Sequence, residues 1–137
     1  MTVAQSFVKL LETKGYGIFG QNIFLYRVPN SLKTQTELFY IIPSGGSPTR
    51  TYPNGAKVKL YQFLIYFRSN KAERVDKILS AMEEELNCAG CVELENYELV
   101  SLNTSQFPAD QDLDSENRMV GLLQVQLEVY KACNVES

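Results

Sequence analysis

The chain has 137 residues, of which 45% are hydrophobic and 21% are charged, and its formal net charge is −3. This length and balance suit one globular domain, so we place no boundary within residues 1–137. The negative charge argues against general nucleic-acid binding, which needs clustered lysine and arginine. No histidine is present, so an enzyme is disfavoured and no metal or cofactor is expected. No apolar run reaches the ~20 residues of a membrane span, and no signal-peptide pattern opens the chain, so no membrane contact is expected.

The first segment predicts a helix. Thr2 and Gln5 have the spacing of a capping box, in which two backbone donors are satisfied reciprocally. Val3, Phe7, Leu10 and Leu11 then fall on one helical face, and Gly15 supplies a left-handed stop.

Three strands are predicted next, at residues 23–28, 37–42 and 56–69, the first two ending at prolines. The stretch IIPSGGSPTRTYPNG, residues 41–55, reads as the loop that joins the second strand to the third. A second helix begins near Asn70, which has near capping-box spacing with Glu73. It carries an apolar stripe of Val75, Ile78, Leu79, Met82 and Leu86.

Two strands close the pattern, at residues 97–104 and 119–131, with an acidic loop between them. The order is therefore α-β-β-β-α-β-β. Short connections favour an α+β fold in which a mainly antiparallel sheet carries both helices on one face.

The third strand is apolar on both sides. Tyr61, Phe63, Ile65 and Phe67 point one way, and Leu60, Leu64 and Tyr66 point the other. A sheet covered on one side needs only one apolar face, so the surplus face must meet another strand layer, a folded-over loop or another subunit. A strand of about 44 Å also has length to spare, which a projecting β-ribbon arm would explain. The competing interpretation is a curved sheet with mixed burial.

Three motifs resemble chemical sites, but each lacks a feature that its chemistry requires. The segment SGGSPTR lacks the lysine of a phosphate-binding loop and leads into a strand. The segment CAGC, residues 88–91, lies at the C-terminal end of a helix, where the dipole opposes a thiolate. Asp110, Asp112 and Asp114 have the start of a calcium-loop spacing, but Ser115 stands where that loop needs glycine.

In order along the chain, FYIIPSGGSPTRT, KLYQFLIYFRSN and KAERVDKILSAMEEEL resemble the tail-terminator or minor-capsid family of long-tailed phages. The later stretch DSENRMVGLLQVQLEVY is similar to that family's turn before its last long strand. The resemblance covers residues 36–88 best and 112–131 more loosely. The segment CAGC and Gly121 depart from the family pattern.

The resemblance implies a non-catalytic protein of the virion. Its copies form a ring, typically hexameric, that caps the tail tube and joins it to the head-completion or connector protein, while DNA only passes through the bore. Assembly takes place in the host cytoplasm, and the ring lies at the head-proximal end of the tail. The positions that match the family motifs, with Arg50 just beyond them, are Gly45, Gly46, Pro48, Gln62, Arg68, Asp114 and Arg118.

A ring contact needs aromatic anchors, and the candidates are Tyr61, Phe63, Ile65 and Phe67. The strand-end Arg68 is a second candidate, whose replacement by glutamate is expected to impair assembly and leave the subunit folded. Two other classes stay open. One is a small-molecule-binding or regulatory α+β domain with its ligand on the exposed sheet face, and the other is an enzyme that uses Cys88 or Cys91.

Overall fold

A computed structural model describes residues 2–26, 37–87, 94, 97–111 and 119–131, with the backbone alone at 44–49, 108–111 and 131. The elements follow the predicted order, and the predicted α+β class is confirmed. They are α1 (Val3–Thr13), β1 (Ile23–Leu25), β2 (Leu38–Thr51), β3 (Lys57–Ser69), α2 (Ala72–Leu86), β4 (Glu98–Gln111) and β5 (Met119–Lys131).

The strands form one five-stranded sheet in the order β1-β2-β3-β5-β4. β1 runs parallel to β2, and the other neighbours are antiparallel. β3 pairs with β5 along its whole length, from Lys57 opposite Lys131 to Ser69 opposite Met119. The predicted β-ribbon arm is therefore wrong, because β5 flanks the β2–β3 hairpin as far as its tip.

Both helices pack on one face of the sheet, as predicted. The ring of Phe7 in α1 stacks on Phe63 in β3, with centroids 4.7 Å apart and planes 5° from parallel. Val75 and Leu79 of α2 lie against Gly121 of β5. The core between the layers includes Phe7, Leu11, Ile41, Phe63, Ile65, Leu79, Met82, Leu123, Val125 and Leu127, all nearly inaccessible to solvent.

The predicted loop at residues 41–55 is wrong, because β2 continues through the glycines and prolines to Thr51. The pairing with β3 shifts between Ser44 and Ser47 and again between Pro48 and Arg50. β1 reaches only Ile41 in its pairing with β2, so the later part of β2 is an edge among the described strands. An edge strand tolerates proline, since its outward amide needs no ladder partner.

The predicted ends of the other elements are partly confirmed. The capping box of α1 forms, because Thr2 N donates to Gln5 Oε1 at 2.9 Å and Gln5 N donates to Thr2 Oγ1 at 3.1 Å. Asn70 does not cap α2, since the cap residue is Lys71, which makes no side-chain capping bond. β4 runs beyond residue 104 to Gln111 with two register shifts, so the predicted loop there begins too early.

Gly121 sets how closely α2 approaches the sheet. A Cβ at this position would lie 2.5 Å from Val75 Cγ1 and 2.6 Å from Leu79 Cδ1. We expect Gly121→Ala to lower the free energy of unfolding by about 1–3 kcal/mol, the usual cost of overpacking a core. Urea unfolding measures this loss. The cost should shrink in a Val75→Ala background, and an equal cost in both backgrounds would contradict the close contact.

Tyr16 links the end of α1 to the sheet and to α2. Its ring meets that of Phe39 edge-on at 6.2 Å, and Lys14 Nζ lies 3.9 Å from Glu85 Oε2. Burial, followed by the charge of Glu85 and a hydrogen bond with it, raises the pKa of Tyr16 to about 12. The hydroxyl therefore stays neutral up to strongly alkaline pH.

This raised pKa predicts an alkaline loss of stability. An unfolded tyrosine has a pKa of about 10, so the contribution of neutral Tyr16 is complete below that pH and is lost as pH rises towards 12. We expect the urea midpoint of the native chain to fall more steeply between these pH values than that of Tyr16→Phe. Parallel pH profiles of the two proteins would contradict the assignment.

Candidate functional site

The face of the sheet opposite the helices is the candidate site, and we call it the open face. Leu60, Gln62, Leu64 and Tyr66 alternate along β3 with the core residues and therefore point to this side. Both helices lie on the other side, so within the described ranges no helix covers the open face.

The antiparallel register aligns side chains of four strands into rows across the open face. One row, which we call the apolar row, contains Tyr40, Tyr66, Leu122 and Phe107. The next row contains Ile42, Leu64, Gln124 and Ser105. The Tyr40 and Tyr66 rings stack 4.7 Å apart and 8° from parallel. Phe107 is 45% exposed and Ile42 37% exposed, so large apolar side chains reach solvent at this end.

The middle of the open face is polar and carries no charge. Gln62, Gln126 and Asn103 lie side by side in consecutive strands. In the following row, Ser101 Oγ donates to Glu128 Oε1 at 2.8 Å, next to Leu60.

The far end of the open face carries opposite charges at its two edges. Arg50 in β2, Val58, Tyr130 and Glu98 in β4 form the last row, and Arg50 and Glu98 are both exposed. Aromatic anchors at one end, neutral amides in the middle and charges at the rim are the composition of a protein–protein contact.

The predicted anchors are wrong for three of the four residues. Phe63, Ile65 and Phe67 are at most 4% exposed, because the helices of the same chain cover them. Tyr61 points to the same side and is half-buried against the core, and burial, followed by the charge of Tyr97, raises its pKa.

The side chains that sequence reasoning missed are those of the apolar row, together with Ile42. Both sides of β3 are apolar, so β3 alone did not distinguish its core side from its exposed side. The available signal was the alternation of β5, where Leu123 and Val125 are core residues and Gln124 lies on the other side.

Arg68 was predicted to be a surface contact, but only 5% of it is exposed. Replacing it with glutamate would reverse a buried charge, so we expect this variant to lose stability instead of staying folded. Gln62 is half-buried on the open face and Arg50 is exposed at its end, so the fold brings these two predicted residues onto one surface.

For the remaining predicted residues, the structure describes either the backbone alone or nothing. Gly45, Gly46 and Pro48 lie in the backbone of β2, along its edge. Asp114, Arg118 and the cysteines at 88, 91 and 133 lie outside the described residues. In the described part of the chain, no three metal-binding side chains cluster, and no helix is both long enough and apolar enough to cross a membrane.

No family model matches the chain, and no curated protein matches it.

Proposed function

We propose that this chain is a structural virion protein of the tail-terminator type. Its copies form a ring, typically of six, that caps the tail tube and joins it to the head connector. The observation that carries the proposal is the open face, a surface with an aromatic end and a neutral polar middle, on a sheet whose other face is filled by the helices. The ring and its place in the virion are what the resemblance of the motif order to the tail-terminator family implies.

The open face suits a contact between subunits. Its apolar row stacks two tyrosines beside Leu122 and the exposed Phe107, and aromatic side chains dominate the binding energy of protein contacts. In a closed ring each subunit presents two different patches to its neighbours. The open face supplies one of these patches.

The negative net charge of the chain is compatible with the passage of DNA through such a ring. Six copies at a net charge of −3 each carry about −18 in total. If part of this charge lines the bore, it repels the phosphate backbone and keeps DNA from adhering during transit. The direct partners in this proposal are therefore other copies, the tail tube protein and the connector protein.

A charged substitution in the apolar row tests the ring contact. We expect the native chain at high concentration to form ring-shaped particles in negative-stain electron microscopy, with about six times the 15.5 kDa subunit mass. Phe107→Lys should abolish them, because a lysine would have to be desolvated in the contact. Its matched control is Ile18→Lys, at a site of similar exposure (54%) before β1.

Circular dichroism of both variants establishes that they remain folded. Rings that survive Phe107→Lys would contradict the role of the open face, and a chain that never forms rings would contradict the proposed function. A monomer stabilised by a small ligand on this face would instead favour the regulatory or ligand-binding alternative.

A further inference from the structure

We infer that copies of this chain meet head to tail, with the basic β2–β3 side of one copy against the acidic α2–β4 side of the next. This inference rests on the proposed ring, because it names the second patch that each subunit presents to a neighbour. It follows from the way in which the chain separates its positive and negative charges.

The sequence holds its charges in two blocks. Residues 38–72 contain five lysines and arginines and no acidic residue, and residues 78–117 contain ten acidic residues and no lysine or arginine. The first block forms β2 and β3, and the second includes the later part of α2 and all of β4. Charge distribution acts on encounter and association between molecules and not on the choice of fold, so this separation points to a contact.

The sheet places the two blocks on opposite sides of the molecule. β3 and β5 lie between β2 and β4, so three strand spacings of about 4.8 Å hold the outer strands roughly 14 Å apart. The screening length in 0.1 M salt is about 10 Å, so within one chain the charges of the two sides are largely screened from each other. Each copy therefore carries a positive side and a negative side.

The positive side is densest at the turn between β2 and β3. Arg50 and Lys57 are exposed beside this turn, and Lys59 is half-buried two residues further along β3. Tyr52 is 40% exposed between them, with its ring 6.3 Å from that of Tyr130. Tyrosine and arginine are enriched among the residues that dominate protein contacts. We call Arg50, Tyr52, Lys57 and Lys59 the basic turn.

The negative side follows the edge that α2 forms with β4. Glu83 is held there because its Oε2 accepts a hydrogen bond from Thr104 Oγ1 at 3.0 Å. Glu84 on α2 and Glu98 on β4 are exposed, and we call Glu83, Glu84 and Glu98 the acidic edge. Phe107, the exposed end of the apolar row, also lies on β4. The acidic edge therefore belongs to the same side of the molecule as the patch that the ring contact uses.

Other charges of the helix layer are offset within the chain. Glu85 Oε2 lies 3.9 Å from Lys14 Nζ, and Arg74 Nε lies 2.7 Å from Glu37 Oε2. Lys77, an exposed cation in the first half of α2, weakens the negative side without reversing its sign.

Opposite charges on two different sides favour a head-to-tail contact. The basic turn of one copy then faces the acidic edge of the next, and the same contact repeats until the ring closes. Two basic turns, or two acidic edges, would instead set like charges together, which is unfavourable. A second copy fits better than a foreign partner, because one chain carries both members of the complementary pair.

Mixing two charge-reversed variants tests the contact. Arg50→Glu with Lys57→Glu makes both sides acidic, and Glu84→Lys with Glu98→Lys makes both sides basic. In sedimentation velocity, each variant alone should self-associate at least about tenfold more weakly than the native chain, because like charges meet at every contact. An equimolar mixture should recover association to within about threefold of the native chain, because the two variants alternate in a ring of even order.

Salt and net charge supply the controls. Raising the salt concentration from about 0.01 M to about 1 M shortens the screening length from about 30 Å to about 3 Å, so association of the native chain should weaken. Lys9→Glu on the exposed side of α1 makes the same change in net charge as Lys57→Glu. Only Lys57→Glu should weaken association, and circular dichroism establishes that every variant is folded.

The contact and the proposed function fail separately. Rings that form normally from each variant alone, or a mixture that recovers no association, would overturn the head-to-tail contact, and normal rings would leave the proposed function standing. Association that the mixture restores but that never closes into rings would support the contact and contradict the ring. A chain that stays monomeric at every concentration would contradict both.

Discussion

Thirteen consecutive residue pairs join β3 to β5, and this unbroken pairing is the constraint on which the rest of the molecule depends. Because side chains alternate along paired strands, every second position of both strands faces the helices and the others face away. Phe63 with Val125 and Ile65 with Leu123 form the floor of the core. The opposite positions are then left for contacts outside the helix layer.

The helix layer is fixed to its side by packing and by hydrogen bonds. The absence of a side chain at Gly121 lets α2 settle on β5. Asn87 Nδ2 donates to Thr104 Oγ1 at 2.7 Å, and Ser80 Oγ donates to Gln106 Oε1 at 3.0 Å, so α2 is also tied to the edge strand β4. The close approach of α2 thus gives Gly121 a physical role in this fold.

The sequence alone predicts the element order, because α1, α2 and β5 have strong periodicity and the capping box of α1 is local. It does not predict the late part of β2 or of β4. Prolines and glycines usually end a strand, but they are tolerated at a sheet edge, and edge position depends on strand order. The site was missed for a similar reason. Both sides of β3 are apolar, so only its register with β5 shows that Phe63 is a core residue and that Tyr66 faces away from the helices.

A sheet with one filled face and one open face joins the fold to the proposed role, since the helices occupy one face and leave aromatic, neutral and charged rows on the other. The most direct test is an electron cryo-microscopy structure of the assembled particle. The account predicts that Tyr66, Leu122 and Phe107 are buried against a neighbouring subunit. An assembly in which these side chains still face solvent, with subunits joined through the helices, would contradict it.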